Sequence, residues 1–134
     1  ITILRGLMGG DYFGFKGDFY DIPDLKLCPV PSQPVPILIG GHSKLALKRA
    51  AKLGDGWISA GITLEETKDF INQINFYREE FGTLDHPNYQ FQVMGEAAYS
   101  PDGVKALEDL GATEVIVAFR NAYEEVLMKE RLIA

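Results

Sequence analysis

The stretch Pro36-Ile-Leu-Ile-Gly-Gly-His-Ser-Lys-Leu-Ala-Leu-Lys-Arg-Ala-Ala-Lys-Leu-Gly-Asp-Gly-Trp57 decides the fold. Ile37-Leu38-Ile39 is a short apolar run bounded by Pro36 and Gly40-Gly41, the pattern of a fully buried parallel strand. Ser43 is a good N-cap for a helix from Lys44 to Leu53. On that helix Leu47, Ala50 and Ala51 share one face, and Lys44, Lys48 and Lys52 form a ridge at i, i+4 spacing. Gly54 suits the left-handed position that ends a helix. Trp57-Ile58-Ser59 then begins a second strand, so the stretch reads strand, helix, strand.

The same alternation continues downstream. Thr63 and Glu66 have capping-box spacing, which predicts a helix to about Phe81 with Thr67, Phe70, Ile71, Ile74, Tyr77 and Phe81 inward and Gly82 ending it. Tyr89 to Tyr99 reads as a third strand region, with Phe91, Val93 and Gly95 alternating along it. Ser100-Pro101 opens a short helix carrying Val104, Leu107 and Leu110 and stopping at Gly111. Val115-Ile116-Val117-Ala118-Phe119 is a fourth strand. Asn121 with Glu124 starts a last helix holding Tyr123, Val126, Leu127 and Leu132. Four such units make an α/β chain with a parallel sheet, half of an eight-unit barrel.

Upstream the pattern differs. Ile1 to Met8 reads as a helix end with Ile3, Leu4, Leu7 and Met8 on one side, stopped by Gly9-Gly10; a helix already running at residue 1 suggests a preceding segment. Tyr12 to Ile22 reads as a small β-hairpin about a Lys16-Gly17 or Gly17-Asp18 turn. Its aromatics Tyr12, Phe13, Phe15, Phe19 and Tyr20 suit a hairpin core, a substrate mouth or a dimer contact. Leu25, Leu27 and Cys28 continue extended, and Pro29, Pro31, Pro34 and Pro36 keep helix out. The expected organisation is a single domain over 1–134: helix end, hairpin and proline-rich connector at 1–35, and βα units at 36–134.

Composition narrows the function classes. The chain has 134 residues, 46% hydrophobic and 24% charged, the balance of a soluble globular chain. It is shorter than the roughly 200–250 residues of a complete barrel. With 19 acidic against 13 basic residues it is a poor general nucleic-acid binder. No run approaches the ~20 apolar residues of a membrane span. The N-terminus shows neither a starting Met nor a secretory leader. The single cysteine, Cys28, permits no internal disulfide and reads as a small apolar filler, so a reducing cytoplasm is the expected location.

Chemistry is expected where the first strand meets its helix. Glycines at 40 and 41 let an anion approach the backbone, and the helix start adds unpaired N–H groups and the positive dipole end. Ser43 adds a hydroxyl and His42 a donor. The pattern is neither a Walker loop nor G-x-G-x-x-G; a phosphate cradle and an ordinary tight turn both fit it. A metal site needs more ligands than His42 and His86 bring, and none is expected. His86 reads as solvated. The pairs Glu65-Glu66, Glu79-Glu80 and Glu124-Glu125 read as solvated helix faces, and the lysines with Arg49 likewise. Glu96 stands out as a carboxylate in an otherwise apolar strand.

The whole segment resembles the luciferase-like monooxygenase family, in particular its branch using the deazaflavin coenzyme F-420. The resemblance is carried by Ile37 through Ser43, by Ala46 through Lys52 and by Gly54-Asp55-Gly56-Trp57. Phe15-Lys16-Gly17-Asp18-Phe19-Tyr20 upstream and Leu110-Gly111-Ala112-Thr113-Glu114-Val115 downstream are also similar to family segments. It implies the C-terminal half of a (β/α) barrel of the TIM type in a flavin- or deazaflavin-dependent oxidoreductase, with hydride transfer in the deazaflavin branch and reaction of reduced flavin with oxygen in the FMN branch. It further implies that Gly40, Gly41, His42 and Ser43 hold the cofactor phosphate, with Ile58, Ser59 and Ala60 nearby, that Asp55 fixes its loop and that Trp57 packs in the core. No catalytic residue is assigned, because the family's usual acid–base residues come from the other half. The substrate is expected to be a small molecule. Two open sheet edges favour a homo-oligomer. The alternative is a non-catalytic cofactor-binding or oligomerising module.

Overall fold

The structure is a computed structural model describing residues 1–118. It divides into two compact units, Ile1–Ile37 and Leu38 onward.

In the first unit, helix α1 (Thr2–Met8) runs to Gly9, and Gly10 turns the chain with φ +84°. The Phe13 ring lies where a side chain on Gly6 would have to go. Strands β1 (Phe13–Lys16) and β2 (Asp21–Leu25) pair antiparallel as expected, with Phe15 opposite Ile22 and an irregularity between Phe13 and Phe15. The turn is longer than the expected two residues: Gly17 N–H donates to Tyr20 O at 2.8 Å, closing a loop over residues 17–20. The aromatics divide. Phe13 and Phe15 are half-buried, whereas Tyr12, Phe19 and Tyr20 are exposed. Cys28 is exposed as well, so it fills no core.

The second unit is the parallel sheet. Strands β3 (Leu38–Gly40), β4 (Gly56–Ile58), β5 (Gln90–Val93) and β6 (Glu114–Val115) lie side by side in chain order, all parallel. That order has no reversal, so it contains no doubly wound switch point and matches consecutive strands of a barrel. Helices α2 (Lys44–Leu53), α3 (Leu64–Phe81) and α4 (Pro101–Asp109) connect them. The core gathers Trp57, Leu47, Ile74, Val93 and Leu107 between sheet and helices.

The local signals behave as their chemistry requires. Ser43 Oγ accepts Ala46 N–H at 3.3 Å. Thr63 and Glu66 form a complete capping box. Ser100 Oγ accepts Gly103 N–H at 3.1 Å, with Pro101 in the first turn. Gly82 takes the left-handed conformation that ends α3.

Several expectations are corrected. Strand β3 is half-buried, not fully buried, because it is the outer strand of the described sheet. Gly54 is extended, with φ −86°; its glycine is required by space, since a Cβ would stand 2.9 Å from the carbonyls of Ala50 and Gly56. The third strand ends at Val93, and residues 96–99 form a 3-10 turn, so Glu96 is exposed at a turn and not inside a strand. Phe70 is half-buried, and Phe81 is exposed at the end of α3, where Lys52 Nζ lies 5.6 Å from its ring. The fourth strand is short, although Ile116 N–H still bonds Val93 O at 2.8 Å. The predicted last helix, with Glu124-Glu125, lies outside the described residues. Among the described residues, no helix is long and apolar enough to cross a membrane.

Candidate functional site

Parallel pairing sets Gly40 opposite Ile58, so the C-terminal ends of β3 and β4 and the loops that follow them are neighbours. The predicted residues Gly40, Gly41 and His42 are thereby brought beside Ile58 and Ala60. Gly41 has φ +109°, a conformation that favours glycine, and a Cβ there would stand 3.0 Å from Ala46 Cβ. Gly40 is different: the nearest atom to an added Cβ is Ile58 Cγ2 at 3.6 Å, ordinary contact.

Helix α2 starts directly after this turn. The N–H groups of Lys44 and Leu45 have no acceptor within the helix, by helix geometry, and the positive end of the dipole lies there. Ser43 sits at the cap. Its hydroxyl accepts from Ala46 and keeps a hydrogen of its own to donate.

His42 is exposed, with its ring stacked on Phe70 at 5.1 Å between centroids. Its Nε2 accepts Ala60 N–H at 3.4 Å, joining the two loops. Trp57 is fully buried, as expected, and its indole N–H donates to Gly41 O at 2.9 Å. Sequence reading missed that bond, since nothing local links residues 41 and 57. Ser59 is also brought close in the chain, but it is buried and its Oγ accepts Met94 N–H at 3.0 Å. Its hydroxyl holds the loop after β5.

Asp55 serves its loop, as the resemblance implies. It is nearly buried, its carbonyl accepts Gln90 N–H at 3.0 Å, and Oδ1 lies 3.3 Å from His86 Nε2. His86 is exposed, as expected, and also stands against Asp55. The basic ridge of α2 is likewise used in packing: Lys48 Nζ lies 5.0 Å from the Tyr77 ring centroid. Arg78 carried no sequence signal and is buried. Its guanidinium donates to Asn75 Oδ1 at 3.1 Å and to Leu84 O at 2.8 Å.

A cavity of about 810 Å³ opens at the loops after β4 and β5, lined by Ile62, Leu64, Met94, Glu96, Ala97 and Tyr99. Among the described residues no group of three metal-binding side chains occurs.

Comparison with known proteins agrees with this fold. A family description, luciferase-like monooxygenase, matches residues 1–124. An uncharacterized protein of Mycobacterium tuberculosis is 47% identical over 123 residues, which are 92% of this chain and 42% of that protein. An F-420-dependent glucose-6-phosphate dehydrogenase of Amycolatopsis mediterranei is 40% identical over 58 residues, 43% of this chain and 17% of the enzyme. An FMNH(2)-dependent dimethylsulfone monooxygenase of Pseudomonas fluorescens is 35% identical over 74 residues, 55% of this chain and 20% of the enzyme. Among solved structures, an F-420-dependent secondary alcohol dehydrogenase in complex with an F-420-acetone adduct superposes with a TM-score of 0.61 at 17% identity, over 98% of this chain and 50% of that one. The chain thus spans half or less of the length of each of these proteins.

Proposed function

The chain belongs to the luciferase-like monooxygenase family, and from that premise we propose that it forms the cofactor-phosphate half of a flavin- or deazaflavin-dependent oxidoreductase. The deazaflavin coenzyme F-420 is the first choice and FMN the second. The supporting observation is the turn at Gly41, φ +109°, which leads from a strand end straight into the capped start of α2. A helix start there offers unpaired N–H groups, a cap hydroxyl and the positive dipole end, the donor set a phosphate requires. In this reading Gly40, Gly41, His42 and Ser43 hold the phosphate. Ile58 and Ala60 form the adjacent wall, and Ser59 supports it from below.

A bound flavin or deazaflavin supplies the two-electron redox chemistry. The residues here bind and orient. Lys44 and Leu45 offer backbone N–H groups, Ser43 offers a hydroxyl hydrogen, and His42 keeps the loop after β4 against the loop after β3.

The test is a calorimetric titration of the 134-residue chain with FMN and with riboflavin, which lacks the phosphate, repeated with F-420 and its phosphate-free deazaflavin core. Ser43→Asp is the informative variant, because Asp caps a helix as well as Ser while its charge repels phosphate. A substitution at Gly41 would mix charge with backbone strain. The reading expects tighter binding of the phosphorylated forms, and Ser43→Asp abolishing that preference. Equal binding by the unmodified chain of each phosphorylated form and its phosphate-free counterpart would overturn it.

A second reading is a binding or self-associating module without turnover of its own. The outer edge of β3 has no strand partner in the described sheet, and such an edge invites pairing with a second copy. Binding without substrate turnover, together with a dimer in sedimentation, would select this reading.

A further inference from the structure

We propose that Trp57 is a positioning residue for the phosphate turn, acting through its indole N–H on the Gly41–His42 peptide. The proposal rests on the phosphate reading above. The indole donates to Gly41 O at 2.9 Å from a fully buried position. Among the described residues the one cis peptide is Cys28–Pro29, so the Gly41–His42 bond is trans. In a trans peptide the carbonyl and the following N–H point in opposite directions. Holding Gly41 O toward the buried indole therefore turns His42 N–H away from it.

Two further features hold this orientation. The His42 ring is stacked on Phe70, and Trp57 meets Phe70 at 5.8 Å between centroids. His42 Nε2 is engaged by Ala60 N–H. The residue that anchors the turn is thus part of the core, and the N–H it aims is at the surface. A peptide flip, the ordinary way such a turn loses an anion donor, would break the indole bond and leave a buried donor unpaired.

The Trp57→Phe variant keeps an aromatic ring and removes the donor. Because Trp57 is the chain's single tryptophan, biosynthetic replacement of tryptophan by benzothienylalanine also changes this site alone and keeps the bicyclic shape. Both proteins are titrated calorimetrically with FMN and riboflavin, and with F-420 and its phosphate-free core, beside the unmodified chain. A role in packing alone would weaken both ligands equally. The positioning role predicts that FMN binding weakens about tenfold, the scale of one hydrogen bond to a charged group, while riboflavin binding is unchanged. An unchanged FMN-to-riboflavin ratio in the benzothienylalanine protein overturns the role of Trp57 and leaves the phosphate site standing. Equal or undetectable binding by the unmodified chain of both members of each pair, FMN with riboflavin and F-420 with its phosphate-free core, removes the phosphate site, and the role of Trp57 with it.

Discussion

His42 Nε2 accepts the backbone N–H of Ala60 at 3.4 Å, tying the loop after β3 to the loop after β4. The bond is long, and the ring's stacking on Phe70 at 5.1 Å does as much to hold it. Removing both by His42→Ala loosens the turn without touching the buried core. The expected result is a several-fold weaker FMN affinity, about 1 kcal/mol, with a melting temperature lowered by no more than about 3 °C. Calorimetric titration and thermal melts measure the two. Unchanged FMN affinity would show that the two loops hold their places without His42.

The glycines of the decisive stretch answer to different demands, and this separates them experimentally. A Cβ on Gly56 would stand 2.5 Å from Gln90 O, because β4 and β5 pass closely there. Gly56→Ala is expected to cost about 1–3 kcal/mol in urea denaturation. Gly40→Ala meets nothing nearer than 3.6 Å and is expected to stay within about 0.5 kcal/mol of the unmodified chain. If both substitutions proved equally mild, the β4–β5 spacing at residue 56 would be wider than described.

Glu66 gives the chain an acid-sensitive helix start. Its carboxylate accepts Thr63 N–H at 2.8 Å and the Thr63 hydroxyl at 3.0 Å, and these bonds hold its carboxyl below the usual glutamate range. A depressed folded-state value means that the contribution is present above the unfolded value of about 4.3 and fades as pH falls through the lower folded one. Glu66→Gln keeps an acceptor and removes the charge. Its melting temperature is expected to fall less between about pH 5 and pH 2 than that of the unmodified chain. Parallel curves would show that the capping carboxylate does not contribute to acid stability.

These elements divide by the range of the forces that make them. Ser43, the Thr63–Glu66 box and Ser100-Pro101 are legible in sequence because each cap satisfies N–H groups within three residues of itself. The inward face of α2 is legible because a helix repeats in register. The Asp55–His86 contact and the Trp57–Gly41 bond are not, because each joins segments distant in the chain. Phe81 misleads for a related cause: the period is right, but the helix end overhangs the core. The site is an intermediate case. Gly40 to Ser43 is visible as a strand-to-helix turn, whereas its convergence with Ile58 and Ala60 depends on the β3–β4 register. Family resemblance supplied that convergence where periodicity did not.

Tyr89 and Arg78 bound the far side of the core. The guanidinium lies 3.9 Å from the Tyr89 ring centroid, and both residues are buried. Among the described residues, neither the Tyr89 hydroxyl nor Arg78 Nε has a hydrogen-bond partner. Burial pushes the phenol up to about 12, against the opposing pull of the Arg78 charge. A raised value in the folded state means that its contribution is whole below the unfolded value of about 10 and is lost as pH rises through about 12. Tyr89→Phe keeps the ring over Arg78 and removes the group that ionises. The variant is expected to match the unmodified chain at neutral pH or exceed it by up to about 1 kcal/mol, since a buried unpaired hydroxyl is discarded. It is also expected to unfold at higher pH in an alkaline titration followed by circular dichroism. A loss of more than about 1 kcal/mol at neutral pH would show instead that the hydroxyl is bonded in solution, with a buried water joining it to Arg78 Nε.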